Sequence, residues 1–161
     1  MNITNPLLQI KNLSVGFNGA HEGNPVVRGV NLEVGSGEIL GIVGESGSGK
    51  SVNCFAVVRL LGERGWTEGE VLFGGKDLLS CPENEITAVR GKEIAMIFQD
   101  AQSSLNPVQN IGSQLLEALI LRKDLEGKGP GVYKSEAVKL LKEVGIPDPE
   151  KKMGEFPHQL S

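Results

Sequence analysis

The most informative stretch of the chain is residues 44–51, whose glycines, lysine and serine match the spacing G-x-x-x-x-G-K-[ST]. Glycine has no Cβ, so such a loop can adopt positive φ angles and turn successive backbone N–H groups inward around a phosphate. Lys50 then reaches the β- and γ-phosphates of a nucleotide, and the hydroxyl of Ser51 ligates Mg²⁺. The residues predicted to bind phosphate are Gly44, Glu45, Ser46, Gly47, Ser48, Gly49, Lys50 and Ser51.

The segments on either side of this loop have the pattern that a phosphate site requires. Residues 39–43 form an almost unbroken apolar run, typical of a strand that is buried on both faces of a parallel sheet. Residues 52–61 predict an apolar helix that ends at Gly62. The alternative is a glycine-rich surface turn followed by a helix. The order strand, loop, helix favours the phosphate site.

Two side chains outside the loop could also contact a nucleotide. Residues 93–98 form a second apolar run of the buried-strand type, and Gln99 follows it directly. Ligands of open α/β sheets bind beyond the carboxyl ends of the strands, so Gln99 is placed to contact Mg²⁺ or an attacking water. Phe17 ends an earlier strand and could stack on a purine base. From the residues alone, a polar strand end for Gln99 and a packing role for Phe17 remain the favoured interpretations.

The remaining pattern divides into a β-rich first part and a helical second part. Alternation of apolar and polar residues predicts two antiparallel strands ahead of the loop, and Gly74-Gly75 predicts a tight hairpin turn after it. Helical signals follow the hairpin, with a charged, glycine-rich link at 123–131. The predicted elements are strands at 7–15 and 26–34, a hairpin at 70–79, a short helix from Pro82, and helices at 111–121 and 135–144.

Length and charge exclude several classes of protein. A chain of 161 residues has room for one domain with its own core. Its net charge of −4 argues against an extended nucleic-acid surface. No apolar run is long enough to span a membrane, and the first residues do not form a secretion signal. We therefore expect a soluble, intracellular protein without a nucleic-acid partner.

Together these motifs resemble the ATP-binding subunits of ABC transporters, in particular those of the dipeptide, oligopeptide and nickel importers. Residues 30–51 look like the Walker A region of that family. Residues 94–108, Ile-Ala-Met-Ile-Phe-Gln-Asp-Ala-Gln-Ser-Ser-Leu-Asn-Pro-Val, are similar to its Q-loop region and are the more specific signal. Ala101 stands where the family pattern has proline, which is a minor departure.

The resemblance implies cofactors, site residues and partners. The cofactors are ATP and Mg²⁺. Gln99 becomes the Q-loop glutamine that acts at the Mg²⁺ and the γ-phosphate, and Phe17 becomes the aromatic residue that stacks on adenine. The expected partners are transmembrane permease subunits and a second, identical or different, ATP-binding subunit, which place the protein on the inner face of the cell membrane. Residues 101–110 and the helix after them would line a groove for a short permease helix.

The fold class implied is α/β, a P-loop NTPase core with an N-terminal antiparallel β layer and a following helical subdomain. We expect the ATP-binding core at residues 1–100 and the helical subdomain at 101–161. The sequence reaches only Leu160-Ser161 of the family's signature motif and contains no Walker B strand. The core sheet is therefore expected to be incomplete and the chain alone deficient in hydrolysis.

Two other functional classes stay open beside the transport ATPase. One is a truncated, non-catalytic module that binds nucleotide without turnover. The other is a DNA-repair or chromosome-organising ATPase, for which the coiled-coil heptads and the basic face are missing from the sequence.

Overall fold

The computed structural model describes residues 6–18, 24–100, 104–122 and 125–160. The chain divides into two compact units, residues 1–96 and residues 97–161. The first unit contains the strands β1 (Leu8–Phe17), β2 (Val27–Val34), β3 (Gly65–Phe73) and β4 (Lys76–Asp77) and the helices α1 (Lys50–Val57) and α2 (Glu83–Val89). The second contains α3 (Ile111–Ile120), α4 (Pro130–Glu143), α5 (Pro149–Lys152) and a short 3₁₀ helix (Pro157–Gln159).

The first unit is organised around one antiparallel sheet with the strand order β2-β1-β3-β4. Alternating residues of β1 and β3 face a common core, because side chains of a strand point to opposite faces in turn. This core also receives residues from α1 and α2, and its fully buried members include Leu13, Val15, Ala56, Val71, Leu78 and Ile86. The predicted antiparallel β layer and the tight turn at Gly74-Gly75 are therefore confirmed.

The second unit has its own apolar core, formed by α3, α4 and residues that follow α3 and α5. Its buried residues are Ile111, Leu119, Leu125, Ala137, Leu141 and Met153. The first backbone N–H groups of α3 are bonded within the unit, since Ile111 donates to the carbonyl of Glu155 at 2.9 Å and Gly112 to that of Met153 at 2.9 Å. The side chain of Asn110 caps the same helix by accepting from the N–H of Ser113.

The two apolar runs that predict buried strands are not strands in the structure. Residues 39–43 have no strand partner in the described part of the chain, and Ile39 and Val43 are 98% and 93% exposed. Of residues 93–98, only Ile94 makes a bridge, to Arg90, and Ile97 is 94% exposed. An apolar run favours burial, but a strand also needs a neighbour for its backbone hydrogen bonds. The described residues supply no such neighbour to either run.

Two helix boundaries also differ from the prediction. Helix α1 ends at Val57, and Arg59 directly after it has a φ of 54°. Gly62 also has a positive φ, 74°, but it lies five residues beyond the end of the helix. Helix α4 begins at Pro130, five residues before the predicted start. The glycines near Pro130 suggest a link, but proline is favoured in the first turn of a helix because that turn does not need its N–H. None of the helices in the described ranges is long and apolar enough to cross a lipid bilayer.

Candidate phosphate-binding site

The glycine loop has the backbone geometry that a phosphate cradle needs. Gly47 and Gly49 adopt positive φ angles of 79° and 89°, and Gly49 is the N-terminal cap of α1. A glycine cap has no side chain with which to bond the first N–H groups of the helix. These groups lack carbonyl partners within α1 and stand at the positive end of its dipole. The loop and the first turn of α1 can therefore bind an anion through backbone groups alone.

Lys50 folds back over this loop and brings several predicted residues together. Its Nζ donates to the carbonyl oxygens of Gly44 at 2.8 Å and Glu45 at 2.6 Å, and lies 3.4 Å from the hydroxyl of Ser48. The N–H of Ser48 donates to the carbonyl of Glu45 at 3.3 Å. The ammonium group is thus held at the loop, where it can pair with phosphate oxygens.

The remaining loop residues are open to solvent. Ser46 and Gly47 are exposed in the turn, and Ser51 is exposed at the second position of α1. A hydroxyl oxygen is a ligand that Mg²⁺ accepts, and Mg²⁺ in nucleotide sites takes further oxygens from phosphates and water. Within the described ranges there is no group of three or more His, Cys, Asp or Glu side chains that could hold a metal ion. The exposed hydroxyl of Ser51 is chemically suited to a Mg²⁺ that arrives with a nucleotide.

The antiparallel sheet supports the loop through a close contact at Gly49. A Cβ on Gly49 would lie 2.6 Å from Cγ2 of Val27 and 3.5 Å from the carbonyl oxygen of Val26. Val27 is buried and pairs with Val15 of β1, so the contact joins the loop to the core of the first unit. Sequence reasoning missed Val27. The only available signal was the alternation that predicts β2, which does not reveal what the strand contacts.

Phe17 lies on the sheet near this contact. It is the last residue of β1, is partly buried, and pairs with Gly65 of β3. It lies two positions after Val15, about 6.6 Å along a strand. Its role as an adenine-stacking residue stays a prediction.

Gln99 belongs to the second unit and is exposed. Its amide is chemically suited to Mg²⁺ or to water, and its role at the metal stays a prediction. Ala101, the departure from the family pattern, lies outside the described residues, as does the start of the predicted groove segment at 101–103.

A cavity of about 550 Å³ opens beside the loop. It is lined by residues 30–33 of β2, by residues 40–43, and by Ser48, Lys50 and Asn53. The Nδ2 of Asn53 donates to the carbonyl of Gly49 at 3.1 Å, whereas its buried Oδ1 has no hydrogen-bond partner among the described residues. The volume lies within the usual range for small-molecule sites.

Curated proteins that are similar to this chain include peptide transport ATP-binding proteins. The curated relatives include the oligopeptide transport ATP-binding protein OppD of Haemophilus influenzae, 44% identical over 98% of this chain and 48% of the relative. They also include OppD of Bacillus subtilis, 45% identical over 96% of this chain and 43% of the relative. The dipeptide transport ATP-binding protein DppD of Haemophilus influenzae is 44% identical over 96% of this chain and 46% of the relative. The chain spans about half the length of the curated relatives that it matches.

A solved structure has the same fold. A bacterial ABC transporter cassette, determined as a dimer, superposes with a TM-score of 0.76 at 25% identity, covering 96% of this chain and 63% of the cassette. The sequence model of the ABC transporter family matches residues 27–161. The α/β fold class expected of a P-loop NTPase core is thereby confirmed, and the chain belongs to the ABC transporter family.

Proposed function

We propose that this chain acts as an ATP-binding subunit of an ABC transporter, coupling ATP binding and hydrolysis to the import of peptides or related solutes. The observation that carries the proposal is the glycine loop, which has positive φ angles and leads directly into the N-terminus of α1. The ammonium group of Lys50 is bonded to carbonyl oxygens of this loop. The names of the curated relatives, which are peptide transport ATP-binding proteins, support the choice of solute.

The roles of the site residues follow from their chemistry. The backbone of residues 44–51 surrounds the phosphates, and Lys50 supplies a point charge to the β- and γ-phosphates. The oxygens of Ser51 and Gln99 hold Mg²⁺, and Gln99 also orients the attacking water. Phe17 stacks on adenine.

The partners follow from the same proposal. A second ATP-binding subunit completes the site, and transmembrane permease subunits receive the conformational change at the inner face of the cell membrane. The dimer of the similar ABC transporter cassette supports the first partner. We assign the ATP-binding core to residues 1–100 and the helical subdomain to 101–161. The net charge of −4 gives no reason to propose a nucleic-acid partner.

The test of this proposal is the binding of Mg-ATP to the wild-type protein and to Lys50→Ala, measured by titration calorimetry. We expect the substitution to weaken binding about 10- to 100-fold, because a lost hydrogen bond to a charged group corresponds to about 1.5–3 kcal/mol. Lys92→Ala, at an exposed lysine in the turn after α2, is the control and should bind as the wild type does. Equal affinities of Lys50→Ala and the wild type would overturn the proposal.

For the polypeptide of 161 residues alone we propose nucleotide binding with negligible turnover, since its sequence lacks the Walker B aspartate and the glutamate after it. Phosphate release by the purified polypeptide tests this point. Robust release that Lys50→Ala abolishes would contradict it.

A further inference from the structure

The C-terminal end of α1, opposite the phosphate loop, is closed by an arginine in an unusual conformation. Arg59 follows the helix with a φ of 54°, a conformation that side chains other than glycine rarely adopt. Its N–H donates to the carbonyl of Ala56 at 3.0 Å, and the N–H of Leu60 donates to that of Phe55 at 2.8 Å. These two bonds form a Schellman motif, which usually places glycine where Arg59 lies.

The side chain of Arg59 is tied to the segment that begins α2. One guanidinium nitrogen donates to the carbonyl of Cys81 at 2.6 Å and another donates to Oε2 of Glu83 at 3.0 Å. The strained backbone conformation is thus accompanied by specific contacts of the side chain, which glycine could not make.

Arg90 binds the same end of α1. Its Nε donates to the carbonyl of Val58 at 2.7 Å, and one terminal nitrogen donates to that of Arg59 at 3.0 Å. Its other terminal nitrogen donates to Oε1 of Glu83 at 2.8 Å. The Glu83 carboxylate therefore accepts from both arginines, one on each oxygen, and Arg90 satisfies backbone carbonyls at the negative end of the α1 dipole.

The value of this cluster lies in its geometry. Glu83 is 63% exposed and the two arginine side chains are 29% and 26% exposed. Ion pairs this accessible contribute little to stability because water screens them. A planar guanidinium with three simultaneous, directed bonds, by contrast, fixes the groups that it joins. Because α1 is short, fixing its last residues also fixes the direction of its first turn.

We propose that Arg90 is a positioning residue for the phosphate site: it holds the C-terminal end of α1 against α2 and so keeps the first turn of α1, with Lys50 and Ser51, aligned on the glycine loop. Arg90 itself touches neither the loop nor, in this proposal, the nucleotide. The inference rests on the proposed function, since it assigns Arg90 a part in nucleotide binding.

The test compares Arg90→Met with Arg64→Met, which removes an exposed arginine from the turn before β3. Mg-ATP affinity is measured by calorimetry in the full polypeptide, well below the unfolding temperature of each variant. We expect Arg90→Met to bind Mg-ATP about tenfold more weakly than the wild type, because the first turn of α1 is then no longer held in the binding arrangement and must be ordered when the nucleotide binds. Amide hydrogen exchange at residues 50–57 should be faster in Arg90→Met than in Arg64→Met, with β1 and β3 unchanged.

The readouts separate positioning from a merely structural role. A structural role would lower the unfolding temperature but leave the affinity of the folded protein and the exchange of its α1 amides unchanged, and that result overturns the inference. If Arg90→Met does not fold, Arg90→Lys takes its place with the same measurements. Lysine keeps the charge but cannot make the three directed bonds, so weaker ATP binding than the wild type supports the inference and equal binding overturns it.

Failure of the proposed function would look different. A wild type and Lys50→Ala that bind Mg-ATP equally would overturn nucleotide binding at the loop. The exchange of α1 amides in Arg90→Met and Arg64→Met would then still decide whether Arg90 fixes this helix.

Discussion

Gly49 meets two requirements that no other residue type meets together. Its φ of 89° lies where a Cβ is strained, and the space that a Cβ would need is taken by Cγ2 of Val27 at 2.6 Å. The positive φ sets the course of the loop, and the missing Cβ lets the loop pack closely against Val27 of β2. A residue that serves both the backbone conformation and the packing should tolerate substitution less well than a glycine that serves one of them.

Gly49→Ala is expected to lower the free energy of unfolding by about 2–4 kcal/mol, because the strain of a left-handed alanine adds to the cost of overpacking against Val27. It should also weaken Mg-ATP binding, since the cap of α1 moves. Urea denaturation and calorimetry measure the two effects.

The matched control for this substitution is Gly37→Ala. Gly37 also has a positive φ, 73°, but a Cβ there would meet nothing within 4 Å. Its substitution should cost only about 1–2 kcal/mol, the strain of the conformation alone. If both variants were destabilised equally, the contact with Val27 would carry no energetic weight.

At the scale of elements, one carboxylate adds to the backbone pairing that holds the short strand β4. Oδ1 of Asp77 accepts from the N–H of Val71 at 3.2 Å and from that of Leu79 at 3.1 Å, which joins the end of the hairpin to β3. Burial alone would raise the pKa of Asp77, but hydrogen bonds from Ser80 and from the backbone N–H groups of Val71, Leu79 and Ser80 outweigh it, so the pKa is lowered.

This lowered pKa predicts a pH dependence of stability. A carboxyl whose pKa is lower in the folded state stabilises the fold at pH values above its unfolded pKa, about 3.9, and loses that contribution as the pH falls through the folded pKa. Asp77→Asn should therefore destabilise the protein by about 1 kcal/mol at neutral pH and by much less below the folded pKa. Urea denaturation across the acidic range measures this difference.

Glu68→Gln is the control, since Glu68 is an exposed carboxylate on β3 for which the same substitution should change little at any pH. A constant gap between Asp77→Asn and the wild type at all pH values would show that the hydrogen bonds to Asp77 do not depend on its charge.

The local sequence pattern was sufficient to predict elements whose partners are near in sequence. Alternation predicts β1 and β2, and Gly74-Gly75 predicts the β3–β4 turn, because these features follow from backbone preference and side-chain period. The runs at 39–43 and 93–98 were predicted wrongly as strands, because a strand needs a partner and sequence pattern does not say which segment provides it.

The same limit applies to the site. The spacing of residues 44–51 identifies the loop and Lys50, but the support of the loop depends on contacts between distant positions. Val27 contacts Gly49 across the fold, and Arg90 bonds the carbonyl of Val58 from 32 residues away. A single sequence gives no signal for such pairs.

At the scale of the whole molecule, the chain exposes large apolar side chains that are not part of either core. Ile39, Val43 and Ile97 are each more than 90% exposed, and Leu121 and Val108 more than 80%. Apolar surface of this kind favours association, since contact with another surface removes it from water. Each unit has its own core, so the exposed residues are available while both units stay folded.

We expect the polypeptide of 161 residues to self-associate at micromolar concentrations and above. Replacing Ile39 and Val43 together by lysine should reduce association, as measured by sedimentation velocity over a range of concentrations. Val26→Lys, at a residue that is 55% exposed, controls for added charge. A monomeric wild type with a sharp, cooperative thermal transition would contradict this expectation.

The two helix N-termini described above are treated in opposite ways by the chain. At the start of α3, the backbone N–H groups that could bind an anion already donate to the carbonyls of Glu155 and Met153 and to the side chain of Asn110. At the start of α1, the N-terminal cap is Gly49, which has no side chain to accept these hydrogen bonds. Helix polarity alone would attract phosphate to either end. Of these two helix ends, only the start of α1, which also has Lys50, is therefore left open to an anion by the chain's own oxygens.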